Sequence, residues 1–247
     1  MIDFTTRRRA LAATASMLVG VAALAGCGGS SDSATAPATL AGGAAAVQEQ
    51  FVQVVDHVSP QVVQIETSQG LGSGIVYDDQ GDIVTNAHVA GDSRRFLVTL
   101  EGGDRHTAAL VGTDPSNDLA VIRLSDAKPS PATFADSSGV RSGDIVFAIG
   151  NPLGLQSSVT QGIVSSLNRS VGESNGVTLS NVIQTSAENN PGNSGGALVD
   201  LSGDVVGVPT LAALDPEFGD TPAAGIGFAI PSSTVRRVAD RLIGASQ

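Results

Sequence analysis

Between Gln61 and Ile230, apolar residues recur with a period of two, in short Val- and Ile-rich runs broken by Gly, Asp, Asn and Pro. Side chains on a strand point alternately to opposite faces, so this is a strand pattern, and the punctuating residues are turn formers. It predicts strands over Gln61–Thr67, Gly74–Tyr77, Asp82–Thr85, Phe96–Leu100, Thr107–Gly112 and Leu119–Leu124. A second set is predicted over Ile145–Ile149, Val159–Leu167, Thr178–Gln184, Gly196–Asp200, Val205–Val208 and Gly225–Ile230. The Gly-Gly pair in "LEGGDRH", Leu100 to His106, marks a tight hairpin. Short strands at this spacing argue for all-β antiparallel sandwiches or barrels rather than strands alternating with long helices.

Two stretches carry a helical pattern instead. The first is Val47–His57. The second is Thr234–Ile243, with Ser232 or Ser233 as N-cap, Val235, Val238 and Leu242 on one face, and Gly244 past the end. No internal repeat is present.

The first 46 residues read differently. Arg7, Arg8 and Arg9 precede an uncharged run from Ala10 to Ala25 that is short for a membrane span, which needs ~20 strongly apolar residues. The run ends in Leu24-Ala25-Gly26-Cys27, which resembles a bacterial lipobox. Residues 1–26 are therefore expected to be a lipoprotein signal peptide, with Cys27 lipidated and holding the chain to the membrane. The alternatives are an ordinary secretory signal or an uncleaved helix, and "TTRRRALAA" also resembles a twin-arginine signal. Residues 27–46, rich in Gly, Ser, Ala, Thr and Pro, read as a flexible tether, leaving 47–247 to fold.

Composition narrows the function. The 247 residues are 41% hydrophobic with no Trp, enough to bury a substantial core. With 24 acidic and 13 basic residues the formal charge is -11, which removes the electrostatic attraction behind most nucleic-acid binding, so no nucleic-acid partner is expected. The single cysteine cannot close an intrachain disulfide.

Candidate chemistry centres on "ENNPGNSGGALVD", Glu188 to Asp200, where Ser194 stands among glycines. A serine hydroxyl is a weak nucleophile unless a base lies within reach and a third group orients that base. Of three histidines, His57 reads as a polar helix end and His106 as an exposed strand start. His88, in "GDIVTNAHVAGD", follows an apolar strand and so is both rigidly placed and reachable. The best carboxylate is Asp118, immediately ahead of Leu119-Ala120-Val121-Ile122. Asp114 reads as a turn residue, and Asp82 and Asp92 are weaker candidates. Glycine lets backbone N–H groups converge, so Gly192, Asn193 and Ser194 are candidate oxyanion donors.

"GNSGG" also fits the nucleophile elbow of α/β hydrolases, but that fold needs a histidine downstream of the serine, and none follows His106. "SDAK", Ser125 to Lys128, reads as a loop. The order His88, Asp118, Ser194 is that of the chymotrypsin arrangement.

On these residues the chain resembles a known family. "GSGIVYDDQGDIVTNAHVA", "GTDPSNDLAVIRL", "SGDIVFAIGNPLGLQSSVTQGIVSSLNR", "VIQTSAENNPGNSGGALVDLSGDVVGV" and "GIGFAIPSS" resemble, in order, blocks of the HtrA (Deg) trypsin-like serine proteases, from Val58 to Ser233. The resemblance implies two six-stranded antiparallel β-barrels, here about residues 47–135 and 136–247, with the active site between them. It implies His88 as general base, Asp118 as its orienting acid and Ser194 as nucleophile, with no metal or cofactor. Polypeptide substrates would add a strand near Ala224, Gly225, Ile226 and Gly227, and relatives of this kind often form homotrimers. Two departures stand out. Only eleven residues follow Arg236, so the PDZ domain that such proteases commonly carry after the protease is not expected here. Asn189 replaces an aliphatic residue beside the primary specificity pocket, which predicts a more polar pocket. The competing function is a lipid-anchored, chaperone-like binding protein on the same fold with little turnover.

Overall fold

The computed structural model describes residues 38–68, 70–151, 158–172, 177–189, 192–215 and 221–246. The leader expected over residues 1–26, Cys27 and the start of the tether lie outside these residues. Among the described residues, no helix is long and apolar enough to cross a membrane.

Among the described residues, twelve strands form two closed antiparallel barrels. The first holds β1 (Val62–Glu66), β2 (Leu71–Val76), β3 (Asp82–Thr85), β4 (Arg95–Thr99), β5 (Arg105–Asp114) and β6 (Leu119–Leu124), in the spatial order β1-β2-β3-β6-β5-β4. The second holds β7 (Ile145–Gly150), β8 (Ser158–Gly172), β9 (Thr178–Thr185), β10 (Ala197–Val199), β11 (Val205–Asp215) and β12 (Thr221–Pro231), ordered β10-β11-β12-β9-β8-β7. Closure pairs each strand with two neighbours, and β12 meets β9 over Gly227–Ala229 only, so its earlier residues pair on the β11 side alone. Every predicted strand is present. The main differences are that β8, β11 and β12 run several residues past their predicted ends. Pro209 and Pro222 and the unbroken Leu211–Leu214 run hide the outer parts of β11 and β12 from a period-two reading.

The alternation explains the packing. In β1, β2 and β3, Val63, Ile65, Val76 and Ile83 fill the first barrel, while Val62, Ile75 and Val84 turn outward. In β7, Val146 and Ala148 fill the second barrel, and Phe147 and Ile149 turn outward. The outward sets meet in a third cluster between the barrels, together with Val54, Val58, Val235, Val238 and Ala239. Both faces of these strands are therefore buried, which is why their runs read as nearly continuous apolar sequence.

The helices differ from expectation at their starts. Helix α1 covers Ala38–Val58, beginning inside the segment read as tether, because its Ala-rich composition favours a helix where apolar periodicity gives no signal. The one-turn helix α2 covers Ala87–Ala90. Helix α3 covers Ser232–Ala245, so Gly244, expected past its end, lies inside it, and with Pro231 at the N-cap neither expected serine caps it with its own side chain. Instead Ser232 Oγ donates to Ala135 O at 2.7 Å, and the Ser233 N–H is taken by Ser137 Oγ at 3.2 Å. The capping acceptor comes from a distant loop, which a local reading cannot see.

Candidate active site

His88 stands in the first turn of α2, directly after β3, and Asp118 stands at the turn into β6. These strands pair from Asp82↔Arg123 to Thr85↔Ala120, so the ladder itself brings the two residues together. Asp118 is 2% exposed and sits in the left-handed region, φ 49, a conformation that costs most side-chained residues energy. The turn before it supplies the constraint. Asp114 accepts from the Asn117 N–H at 3.2 Å and from Asn117 Nδ2 at 3.0 Å, and Arg241 of α3 clasps the same carboxylate. Burial pushes the Asp114 carboxyl up, but the bonds from Asn117 and Arg241 outweigh it, so its pKa lies below the usual value. Asn86 Nδ2 adds a bond to Asp118 O at 3.0 Å.

The Asp118 carboxylate faces His88 Nδ1 at 2.9 and 3.1 Å through its two oxygens and accepts the His88 backbone N–H at 3.0 Å. An ionised carboxylate only accepts, so Nδ1 carries the hydrogen, and in the neutral ring Nε2 is the basic nitrogen. Asp118 Oδ2 also accepts Thr210 Oγ1 at 2.5 Å. Sequence reasoning missed Thr210: it lies on β11 of the other barrel, where a threonine is an ordinary strand residue.

Ser194 lies on the loop between β9 and β10. It shares with His88 a cleft of about 280 Å³ lined also by Thr67, Gly70, Leu71, Val89 and Gly192. Its Oγ donates to Thr210 O at 2.9 Å, so Thr210 touches both the acid, through its hydroxyl, and the serine, through its carbonyl. Of the other histidines, His106 Nδ1 faces Asp126 at 3.0 Å and His57 lies on α1. Among the alternative acids, Asp82 is held by Arg123 through both oxygens at 2.7 and 2.6 Å, and Asp92 is exposed.

The serine loop is tied to the first barrel by Ser73, a fully buried residue of β2 that sequence reasoning also missed. Its N–H donates to Ser194 O at 3.0 Å, its Oγ donates to Gly192 O at 2.5 Å, and its Oγ accepts the Asn151 N–H at 2.8 Å. Because C=O and N–H of one trans peptide point opposite ways, anchoring Gly192 O also fixes the direction of the Asn193 N–H. Gly192 has φ 98 and Gly195 φ 84, conformations reserved largely for glycine. The Gly195 N–H is used by Pro209 O at 3.0 Å. Asn193 is wholly buried, and neither of its side-chain polar atoms has a partner. Pro191, beside Gly192, lies outside the described residues.

The expected substrate strand lies within β12. Gly227 pairs with Ala212 of β11 and Thr185 of β9, and Ile226 packs with Leu179, Val182 and Phe228 away from the cleft. Gly225 has φ 72, and of Ala224 only the backbone is described. Asn189 lies against β12, its Cβ 3.5 Å from where a Gly227 side chain would begin.

Comparison with known proteins agrees with this architecture. The trypsin-like peptidase domain model matches residues 72–208. Serine protease Do-like HtrA of Bacillus subtilis is 43% identical over 190 residues, spanning 74% of this chain and 41% of that protein. Periplasmic serine endoprotease DegP of Escherichia coli K12 is 44% identical over 186 residues, spanning 74% of this chain and 38% of that protein. This chain thus spans less than half the length of both curated relatives. Among solved structures, the HtrA-type protease AlgW with tripeptide superposes with a TM-score of 0.71 at 36% identity, covering 80% of this chain and 64% of that one. The chain belongs to the trypsin-like peptidase family, and HtrA-type proteases are among its relatives.

Proposed function

We propose that the protein is a serine endopeptidase working through His88, Asp118 and Ser194. The observation that carries this is the hydrogen-bonded line from Asp118 to His88 and, through Thr210, to Ser194 across the barrel interface. In the reaction, Ser194 turns its hydroxyl from Thr210 O to His88 Nε2 and attacks the scissile carbonyl carbon as its proton passes to the imidazole. Asp118, already oriented, stabilises the imidazolium. The electron pair of the carbonyl becomes an oxyanion, for which backbone N–H groups of the 192–194 loop are the donors. Collapse breaks the C–N bond and the imidazolium protonates the leaving amine. Water, deprotonated by His88, then releases the acyl group from Ser194. The relatives' names support peptide-bond hydrolysis, and DegP is named periplasmic. With the leader read at residues 1–26, that supports export, and Cys27 would anchor the chain at the outer face of the cell membrane.

The test is labelling with a fluorophosphonate of the wild type, Ser194→Ala and His88→Ala. Labelling of the wild type alone is expected. Labelling that survives Ser194→Ala, or never appears, would overturn the peptidase reading, and its absence would favour a binding protein with little turnover.

A further inference from the structure

Among the described residues, six buried side-chain atoms lack a hydrogen-bond partner, on Gln61, Asn86, Asn151, Asn189 and Asn193. Four of these residues are themselves closed off, none more than 7% exposed. Asn189 differs: the residue is half-buried, while its Oδ1 is covered and unpaired. An acceptor buried without a donor is costly, and the terminal amide torsion of a half-buried asparagine is soft enough to turn it toward a group that supplies one.

The surroundings form a slot. Asn189 leaves a loop pinned to its neighbours: Ser186 N–H donates to Ile163 O at 3.0 Å, Ala187 N–H to Thr185 Oγ1 at 3.0 Å, and Thr160 Oγ1 to Glu188 O at 2.7 Å. Opposite it runs β12. Ile226 and Phe228 turn toward Leu179 and Val182, so alternation sends Gly225 and Gly227 to the other face, where Asn189 lies. A side chain at Gly225 would meet nothing within 4 Å, whereas one at Gly227 would stand 3.0 Å from Ala187 O. The slot is therefore open at Gly225 and tight at Gly227. It adjoins the nucleophile, because Gly227 pairs with Ala212, two residues beyond Thr210, whose carbonyl holds the Ser194 hydroxyl.

We propose that this slot receives the side chain of the residue whose carbonyl Ser194 attacks, and that Asn189 Oδ1 selects a small side chain with a hydroxyl donor, Thr or Ser, over an aliphatic one of equal size. The inference rests on the endopeptidase reading. A threonine hydroxyl gives Oδ1 the donor it lacks. A valine of the same shape offers no donor and leaves it unpaired. Crowding at Gly227 limits the depth, which excludes long side chains.

The experiment uses the full-length chain and peptides identical except for Thr or Val, and Ser or Ala, before the scissile bond. In the wild type, kcat/KM is expected to favour Thr over Val and Ser over Ala by about tenfold. Asn189→Val is expected to reverse the order, with its cleavage of the valine peptide and labelling at Ser194 showing that the variant has assembled its site. If that variant does not fold, the wild-type pairs and Asn189→Thr, with its shorter polar side chain and a lowered preference, decide the matter. Valine cleaved as well as threonine by the wild type, a threonine preference surviving Asn189→Val, or labelling without cleavage of any of the four peptides overturns the pocket assignment alone. Neither labelling nor cleavage overturns this inference and the endopeptidase reading together.

Discussion

His88 and Asp118 belong to one barrel, and the β3–β6 ladder joins them. Their bonds close within a few residues of those strands, with Asn86 and the Asp114 turn as local support. Ser194 belongs to the other barrel, and the bonds that place its loop cross the interface, to Ser73 on one side, while Thr210 of its own barrel reaches back to Asp118. The Asp118 carboxylate has three donors, although Asn86 Oδ1 beside it is unpaired, as are buried polar atoms of Asn151, Asn189 and Asn193 around the serine loop. The acid–base pair is thus a property of one barrel, and the nucleophile's position is a property of two barrels meeting. Damage to the first should remove chemistry and spare the assembly, while damage to the second should disturb the assembly itself.

The largest effect is expected for Asp118→Asn. The amide cannot serve Nδ1–H and Thr210 alike, so the wrong tautomer of His88 is favoured and kcat/KM should fall by about 10⁴. If the pair is local, Ser73 and the serine loop stay in place, and the urea unfolding m-value should not change. A changed m-value would show that the two barrels are coupled through Asp118. Next is Gly195→Ala. Its Cβ would stand 2.3 Å from Ser73 O and 2.4 Å from Thr85 Oγ1, two atoms already bonded to each other, at φ 84. Strain and overpacking together should cost about 3 kcal/mol of stability, read by denaturant unfolding. A loss of activity without loss of stability would place the strain in the loop alone.

Thr210→Val tests the one residue that serves both sides. It keeps the carbonyl that holds Ser194 and removes the hydroxyl on Asp118, so labelling of Ser194 should slow by about tenfold. Thr210→Ser should restore most of the rate, a rescue that a packing role for the methyl group would not produce.

The same division governs what the sequence reveals. Strands with two apolar faces are legible because each face has its own core to fill, as with Val62 and Val63. His88, Asp118 and Ser194 are legible because a scarce residue type or a glycine-rich turn marks each position. Ser73 and Thr210 are not, since a hydroxyl residue on a strand is ordinary until another barrel is set against it. The cap of α3 is hidden for the same reason: the acceptor is Ser137, nearly a hundred residues upstream. What stays unread in sequence is what two distant segments do to each other.

The smallest effects are expected at the two anchors of α3, and they separate by pH. Tyr77 Oη donates to Asp240 Oδ1 at 2.5 Å, and burial, then that bond, holds the phenol above its ordinary value of 10.0. A raised pKa gives stability that is present below pH 10 and lost as pH rises through the folded value. The stability difference between wild type and Tyr77→Phe should therefore be constant at neutral pH and shrink in alkali. The lowered pKa of Asp114 works the other way, giving stability that is present above the ordinary 3.8 and lost as pH falls through the folded value. The Asp114→Asn difference should fade only in acid. Both should stay within about 1 kcal/mol, because the Arg241 and Tyr77 ends are partly exposed. Activity then distinguishes them. Asp114 braces the turn that carries Asp118, so Asp114→Asn should lower kcat by a few fold, whereas Tyr77→Phe removes only the bond to the helix and should leave kcat unchanged. Equal kcat losses in the two variants would mean that α3 positions the acid as a whole, and the acid–base pair would then depend on the chain's C-terminal helix rather than on its own barrel.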